Sequence, residues 1–357
     1  MSTTPLRLGL IGAGPRGIDH IKGALHTGLY RFIAAADLAP ERLAKLYEAA
    51  KPEHAYDDYK KMLAAHRGQL DVVHLCTQPT LRTPAIRAAA EAGVKALVVE
   101  KPMALDYAEA QALERISREA GMLLVVNHQK RGMKEWLALK EAVSSGKLGK
   151  VTMLRATCYS NLLGQGTHMF DMAWHILGEP EPKWIVGGCE DRLSLPETHP
   201  APRNALALVE FDGGARGIFC MSEDCPVYPH ATNPYVYYNL DVIGTEGRAE
   251  VVINMHYRRW DREGRLAEAF PVKWGGENQL NAQATLSSDV ARALREPGFK
   301  HPQRGESALV SFGLIEAVCR AAQRGTVVTW PIEPAENALA AWSRRKPQAE
   351  KKEPAHV

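Results

Sequence analysis

Short, continuously apolar runs alternate with segments of helical period through the first third of the chain. LRLGLI (6–11), RFIAAAD (31–37), DVVHLC (71–76), KALVVE (95–100) and MLLVV (122–126) predict strands. Helices are predicted between them, over about 16–25, from Pro40 onward, over 81–92 and over 106–121. Such alternation demands parallel pairing with helices on both faces of the sheet. The strands carry no polar alternation, as fits burial on both faces. After Asn127 the rhythm changes. A helix near 133–145 precedes longer, alternating runs at 151–159, 205–211, 215–221, 235–244 and 248–253, which predict antiparallel strands. FDGGAR and GTEGR supply turn glycines, and helices follow near 284–296 and 305–324. The pattern divides the chain into an α/β domain with a parallel sheet over 1–126 and an α+β domain of antiparallel strands over 127–335. The Pro-, Lys- and Glu-rich stretch 344–357 predicts a disordered tail.

Composition narrows the function classes. The formal net charge is +3, but the stretch from Arg344 holds five basic and two acidic residues and accounts for the whole excess. A near-neutral body lacks the clustered basic surface that nucleic acid requires. The six cysteines form no C-x-x-C pair, so reduced thiols and a cytoplasmic setting are expected. No apolar run is long enough to span a bilayer, and the N-terminus lacks a signal peptide's apolar region.

The first turn carries the clearest chemistry. Gly12-Ala13-Gly14-Pro15-Arg16-Gly17 lies directly between the first strand and first helix. In such a loop the first glycine permits a tight turn, the second lets backbone approach a pyrophosphate, and the third lets helix and strand pack closely. The phosphates then sit on the positive end of the helix. Asp37 ends the second strand, where a carboxylate accepts from ribose hydroxyls and repels a 2′-phosphate, favouring NAD over NADP. Arg16, a cation beside the loop, is the feature that points the other way.

Two further stretches suggest a reaction. In VVEKPMA, Lys101 ends a parallel strand, at the edge of the sheet where ligands of open α/β folds bind. In GQGTHMFDMAWH, His168, Asp171 and His175 fall along one helix face. Gly166-Thr167 reads as the helix entry with Thr167 as N-cap, which puts His168 in the first turn. The positive end of a helix disfavours imidazolium and leaves His168 able to accept a proton. A metal triad is not expected, since positions seven apart do not easily share one ion.

Together with CTQPTLRTPAIRAAAEAGVKALVVEKP and SSGKLGKVTMLRA, these motifs resemble the glucose–fructose oxidoreductase / inositol dehydrogenase / rhizopine catabolism (Gfo/Idh/MocA) family. The likeness runs from about Leu6 to Pro331. It implies a Rossmann domain, a second domain with a large sheet that also serves oligomerisation, and NAD(P)-dependent oxidation or reduction of a sugar, polyol or related carbonyl. Glu100 and Lys101 match the family's E-K-P, whose lysine lies near the nicotinamide; Thr77 and Pro79 match a loop lining the cofactor. The family pattern D-x-G-x-H-x-x-D, aligned on Gly166 and Gly178, puts its histidine at His168 and its second aspartate at Asp171. Its first aspartate falls at Gly164, so that carboxylate is absent. The expected roles are proton transfer by His168, oxygen polarisation by Lys101, and orientation by Asp171. A second register pairs Asp171 with His175 but misplaces both glycines. The missing carboxylate also leaves room for relatives' chemistry in which transient oxidation drives glycoside cleavage. A ligand-sensing role on the same fold is opposed by retention of Lys101 and His168.

Overall fold

The computed structural model describes residues 4–190, 193–194, 198–224, 237–333 and 337–343. Six parallel strands form the first sheet: β1 (Leu6–Ile11), β2 (Tyr30–Ala36), β3 (His54–Tyr56), β4 (Val72–Leu75), β5 (Ala96–Val99) and β6 (Leu123–Val126). Their order is β3-β2-β1-β4-β5-β6. The chain reverses direction across the sheet at β1/β4, and ligands bind outside the carboxyl ends of strands at such a point. Helices α1 (Pro15–His26), α2 (Pro40–Ala50), α3 (Tyr59–Ala65), α4 (Arg82–Glu91) and α5 (Tyr107–Glu119) make the crossovers. Every residue of β4 and β5 is buried, as their unbroken apolar runs require.

Helix α6 (Lys134–Ser144) leads into the second sheet, whose first strand is β7 (Val151–Cys158), and α7 (Gly166–Ile176) follows. Then come β8 (Pro182–Cys189), the short pair β9 (Leu193–Ser194) and β10 (Ala201–Pro202), β11 (Asn204–Phe211) and β12 (Arg216–Ser222). Strands β13 (Tyr238–Gly244), β14 (Gly247–Val252), β15 (His256–Asp261) and β16 (Leu266–Pro271) continue. Helices α8 (Glu277–Arg295) and α9 (Gly305–Arg324), strand β17 (Val328–Thr329) and helix α10 (Ala338–Ser343) close the described chain.

Nine strands make one sheet in the order β16-β15-β14-β13-β7-β12-β11-β8-β17. Only β7 and β12 pair in parallel among them. The architecture is thus a Rossmann domain followed by an α+β domain with a large, mostly antiparallel sheet. Its inner face packs Leu154, Ala156, Phe219, Ala207 and Val209 into the main core. Alternation puts Met153, Leu206, Leu208 and Ile218 on the opposite face, where Leu206 is 55% exposed.

Helix α8 returns to the first domain. Leu286, Val290 and Ala291 share a core with Leu8, Leu10, Ile21 and Val98, so the second half of the chain also covers one face of the Rossmann sheet. Helix α9 carries a nearly continuous buried sequence. Its Glu316–Arg320 pair is fully enclosed, and the Glu316 carboxylate accepts from the Ala338 and Leu339 amides at the start of α10.

Candidate active site

The glycine loop has the geometry its sequence demands. Gly12 has φ +95°, and a Cβ there would meet the Cys76 carbonyl oxygen at 2.6 Å, so no other residue fits the turn. A Cβ at Gly17 would collide with the Gly12 carbonyl, which lets α1 start hard against the loop. Above Gly14 there is nothing within 4 Å. That open backbone borders the crevice, and with the N-terminus of α1 behind it forms a cradle that fits a pyrophosphate. Pro15 occupies the first turn of the helix, where its missing N–H leaves nothing unpaired. Asp37 follows β2 and braces the loop: its carboxylate accepts from the Ala13 amide at 2.7 Å and the Ala39 amide at 2.9 Å.

A crevice of about 1400 Å³ runs from this loop toward the second sheet. A drug-sized pocket holds about 300–1,000 Å³, so this one has room for a dinucleotide and a second small molecule. Asp37, Arg42, Asp57, Asp58 and Lys60 line one end, and Gly12, Gly14, Pro15 and Arg16 the middle. Thr77 and Pro79 border it from the turn after β4, and Ala13 is buried beneath. Arg82, unremarked in the sequence, ties that turn down by donating to the carbonyls of Thr77 at 3.1 Å and Glu100 at 2.7 Å.

Glu100 ends β5 inside a buried polar cluster. Its Oε1 accepts from Arg16 at 2.9 Å and from Asn127 at 2.9 Å, and lies 2.9 Å from His20 Nε2. His20 Nδ1 in turn contacts His74 Nδ1 at 3.0 Å. These charge-assisted contacts outweigh burial and hold the Glu100 carboxyl well below the usual carboxylate range. Arg16 also pairs with Asp19 at 2.9 Å, so its guanidinium is already committed to two carboxylates.

Lys101 projects from this cluster into the crevice and donates from Nζ to the carbonyl oxygen of Gly164 at 2.6 Å. His168 reaches the same crevice from the first turn of α7. Burial, reinforced by the positive charges of Lys130 and Lys101, pushes its pKa well below the ordinary histidine value. Its Nδ1 is buried without a hydrogen-bond partner among the described residues. The helix starts two residues earlier than the sequence suggests: Gln165 is the N-cap, and Thr167 lies inside the first turn with its hydroxyl buried and without a partner among the described residues. The neutral state of the imidazole is therefore secured by burial and nearby cations, with no side-chain cap involved.

Asp171 does not meet the expectation of orienting His168. It is 1% exposed and lies outside the crevice, with its oxygens accepting from Arg131 at 2.7 and 2.6 Å. One helical turn beyond His168, the side chain points into the second domain's interior, where Arg131 from the segment after β6 supplies the balancing charge. His128 stands between the two: its Nδ1 is 3.1 Å from Asp171 Oδ1, and its ring packs edge-to-face on that of His168 at 5.3 Å. His175 goes elsewhere again, contacting Arg131 at 3.0 Å and Glu179 at 3.1 Å. The three polar residues of one helix face thus divide between two surroundings: His168 joins the crevice, while Asp171 and His175 join the Arg131 cluster.

Sequence reasoning passed over Lys130. It lines the crevice opposite Lys101, donates to Gln165 Oε1 at 2.9 Å and to the Tyr238 hydroxyl, and lies 4.4 Å from the centre of the Tyr238 ring. Gln165, Tyr237, Asn254, Trp274 and His199 complete that end. Of the aromatic stretch 225–238, Tyr237 borders the crevice and Tyr238 packs behind it; the rest lies outside the described residues.

Residues 6–128 match a family described as an oxidoreductase family with an NAD-binding Rossmann fold, Gfo/Idh/MocA. Myo-inositol 2-dehydrogenase of Thermotoga maritima is 28% identical over 259 residues, covering 68% of this chain and 74% of its own. D-glucoside 3-dehydrogenase of Escherichia coli is 26% identical over 250 residues, 60% of this chain and 69% of its own. An oxidoreductase from Agrobacterium radiobacter, solved in complex with NAD+, L-tartaric acid and magnesium, superposes with a TM-score of 0.78 at 21% identity, over 91% of this chain and 98% of that one. The similarity to the Gfo/Idh/MocA oxidoreductase family is thus carried by residues 6–128, which hold the glycine loop and the E-K-P that follows β5.

Proposed function

We propose that this protein is an NAD-dependent dehydrogenase of a sugar, polyol or sugar derivative, with Lys101 and His168 as its catalytic residues. The observation that carries the reading is the convergence of Lys101 and His168 on the crevice that also contains the open backbone of Gly14. The dinucleotide, when bound, accepts hydride from the substrate carbon or returns it. His168, neutral at physiological pH, takes the hydroxyl proton in the oxidative direction. Lys101 donates a hydrogen bond to the same oxygen and stabilises the negative charge that develops there. Fixing the ammonium on the Gly164 carbonyl sets its position before substrate arrives. His128, Arg131 and Asp171 hold the floor beneath His168 and touch no substrate. Asp37 favours NAD over NADP, because a 2′-phosphate would have to sit against its carboxylate. The names of the relatives favour a carbohydrate substrate.

The open face of the nine-stranded sheet, carrying Met153, Leu206, Leu208 and Ile218, is the surface through which copies would assemble; light scattering of the purified protein tests this. The activity itself is tested with a panel of sugars, polyols and aryl glycosides in the presence of NAD. Appearance of NADH supports the dehydrogenase reading. Aglycone release without net NADH would assign redox-neutral glycoside cleavage instead, and binding without any turnover would leave a ligand sensor.

A further inference from the structure

The substrate end of the crevice carries two ammonium groups and no free carboxylate among the described residues. Lys101 and Lys130 both line it, yet their partners are a backbone carbonyl, an amide oxygen and a phenol. Glu100 is the nearest acid, and its carboxylate is already engaged by Arg16, His20, Asn127 and the Lys101 amide. Asp19 is paired with Arg16. Asp37, Asp57 and Asp58 lie beyond the glycine loop, at the far end.

Unbalanced buried charge is costly. The two amines repel one another, and burial lowers the pKa of each. A site of this kind is completed by a ligand that brings the opposite charge.

We infer that the substrate is a carboxylate-bearing sugar derivative, an aldonate or uronate, whose carboxylate is bound by Lys130 while its reacting hydroxyl meets Lys101 and His168. This assignment rests on the dehydrogenase reading for the hydroxyl and on the charge balance of the crevice for the carboxylate. Lys130 is anchored for that role. Gln165 and Tyr238 hold two of its three donor directions, which leaves the third for the ligand.

The test is calorimetric titration of the NADH-loaded full chain with matched pairs, D-gluconate against D-glucitol and D-glucuronate against D-glucose. At least one acid should bind tenfold or more tightly than its neutral partner. Lys130→Met should remove most of that preference, and Lys130→Arg should retain most of it. Equal or tighter binding of the neutral partners, absence of binding by both acids, or an equal loss for acid and neutral partner in Lys130→Met overturns the assignment. If Lys130→Met does not fold, the wild-type comparison and Lys130→Arg decide. Turnover of the same four compounds separates the two claims. Acids that bind with preference but are not oxidised in the presence of NAD refute the dehydrogenase reading and leave the carboxylate site standing. Oxidation without acid preference does the reverse.

Discussion

The Lys101 ammonium is held at 2.6 Å by the carbonyl oxygen of Gly164, the position at which the family pattern carries an aspartate. The backbone of Gly164 thus fixes the lysine, and the local packing is built around the glycine. Gly164 N–H donates to Asn161 Oδ1 at 2.6 Å, and the Ser160 hydroxyl accepts from the Gln165 amide at 3.2 Å.

Restoring the aspartate should consequently harm the protein. A Cβ at position 164 would meet Ser160 Oγ at 2.6 Å and Asn161 Oδ1 at 2.9 Å, so Gly164→Ala and Gly164→Asp both displace side chains that accept from the Gly164 and Gln165 amides. Each should lose about 1–3 kcal/mol of stability, the usual scale of overpacking, and turnover should fall with displacement of the carbonyl that holds Lys101. Denaturant unfolding and steady-state kinetics check this. A Gly164→Asp enzyme that is stable and faster on neutral polyols would contradict it.

The pH profile should be broad. His168 must be neutral to accept a proton, and burial with its cationic neighbours lowers its pKa well below 6.5. Activity should therefore persist as pH falls through the range where an ordinary histidine protonates. Lys101 must be charged to donate, and burial lowers its pKa from 10.5, so the alkaline limb should lie below that value. Profiles of kcat/KM for oxidation read both limbs. An acid limb at or above 6.5 would assign the proton to another group.

Asp37 has two tasks, and its removal should reveal both. Asp37→Ala deletes the acceptor for the Ala13 and Ala39 amides as well as the carboxylate that disfavours a 2′-phosphate. NADH affinity should drop about tenfold or more, since one hydrogen bond to a charged group contributes roughly 1.5–3 kcal/mol, and the gap to NADPH should narrow. Fluorescence titration with both cofactors measures it. A mutant that keeps its NADH affinity and its full preference would show that Asp37 meets neither loop nor ribose.

Asp171 should behave as a stability residue. Its carboxyl is held below the ordinary Asp value, against burial, by the positive charge of Arg131 and then by His128. A depressed folded-state pKa contributes stability that is complete above the unfolded value of 3.8 and is lost as pH falls through the folded value. Asp171→Asn leaves Arg131 buried with only Glu179 as a charged partner at 3.1 Å, which should cost about 3–5 kcal/mol at neutral pH. Chemical denaturation at neutral and acidic pH should show the difference shrinking toward low pH.

Which parts were legible in the sequence follows from what each part depends on. The Rossmann strands are apolar on both faces, so β1, β2, β4, β5 and β6 stand out. Strand β3, three residues with an exposed His54 and Ala55, has no such signature, and neither do β15 and the edge strand β16, which are half-exposed and carry Arg258, Arg259 and Glu268 among their apolar positions. Strand β8 is broken in pattern by Gly187 and Gly188. Gly187 is needed there because a Cβ would meet the Leu206 carbonyl oxygen at 2.5 Å. Local motifs pointed to the glycine loop, Asp37, Lys101 and His168, which the structure brings to one crevice. Lys130, Arg82 and His128 were invisible because their meaning comes from partners far away in sequence: Tyr238 for Lys130, Glu100 for Arg82, and Asp171 and His168 for His128. Helical spacing correctly put Asp171 on the same face as His168 but could not show that Arg131 claims it.

The two histidines of α7 provide the sharpest comparison. His168 lines the crevice with Lys101, whereas His175 is bound to Arg131 and Glu179 away from it. His168→Ala should slow the chemical step by about a hundredfold or more, the scale expected on losing a general base, with NADH affinity little changed. His175→Ala should leave that step nearly intact and lower the unfolding midpoint, since it removes one contact from the Arg131 cluster. Single-turnover rates with excess enzyme, alongside thermal unfolding of each variant, distinguish chemistry from folding. An enzyme crippled by His175→Ala while remaining folded, with His168→Ala near normal, would mean that the proton travels through the Arg131 cluster and that the crevice histidine only shapes the site.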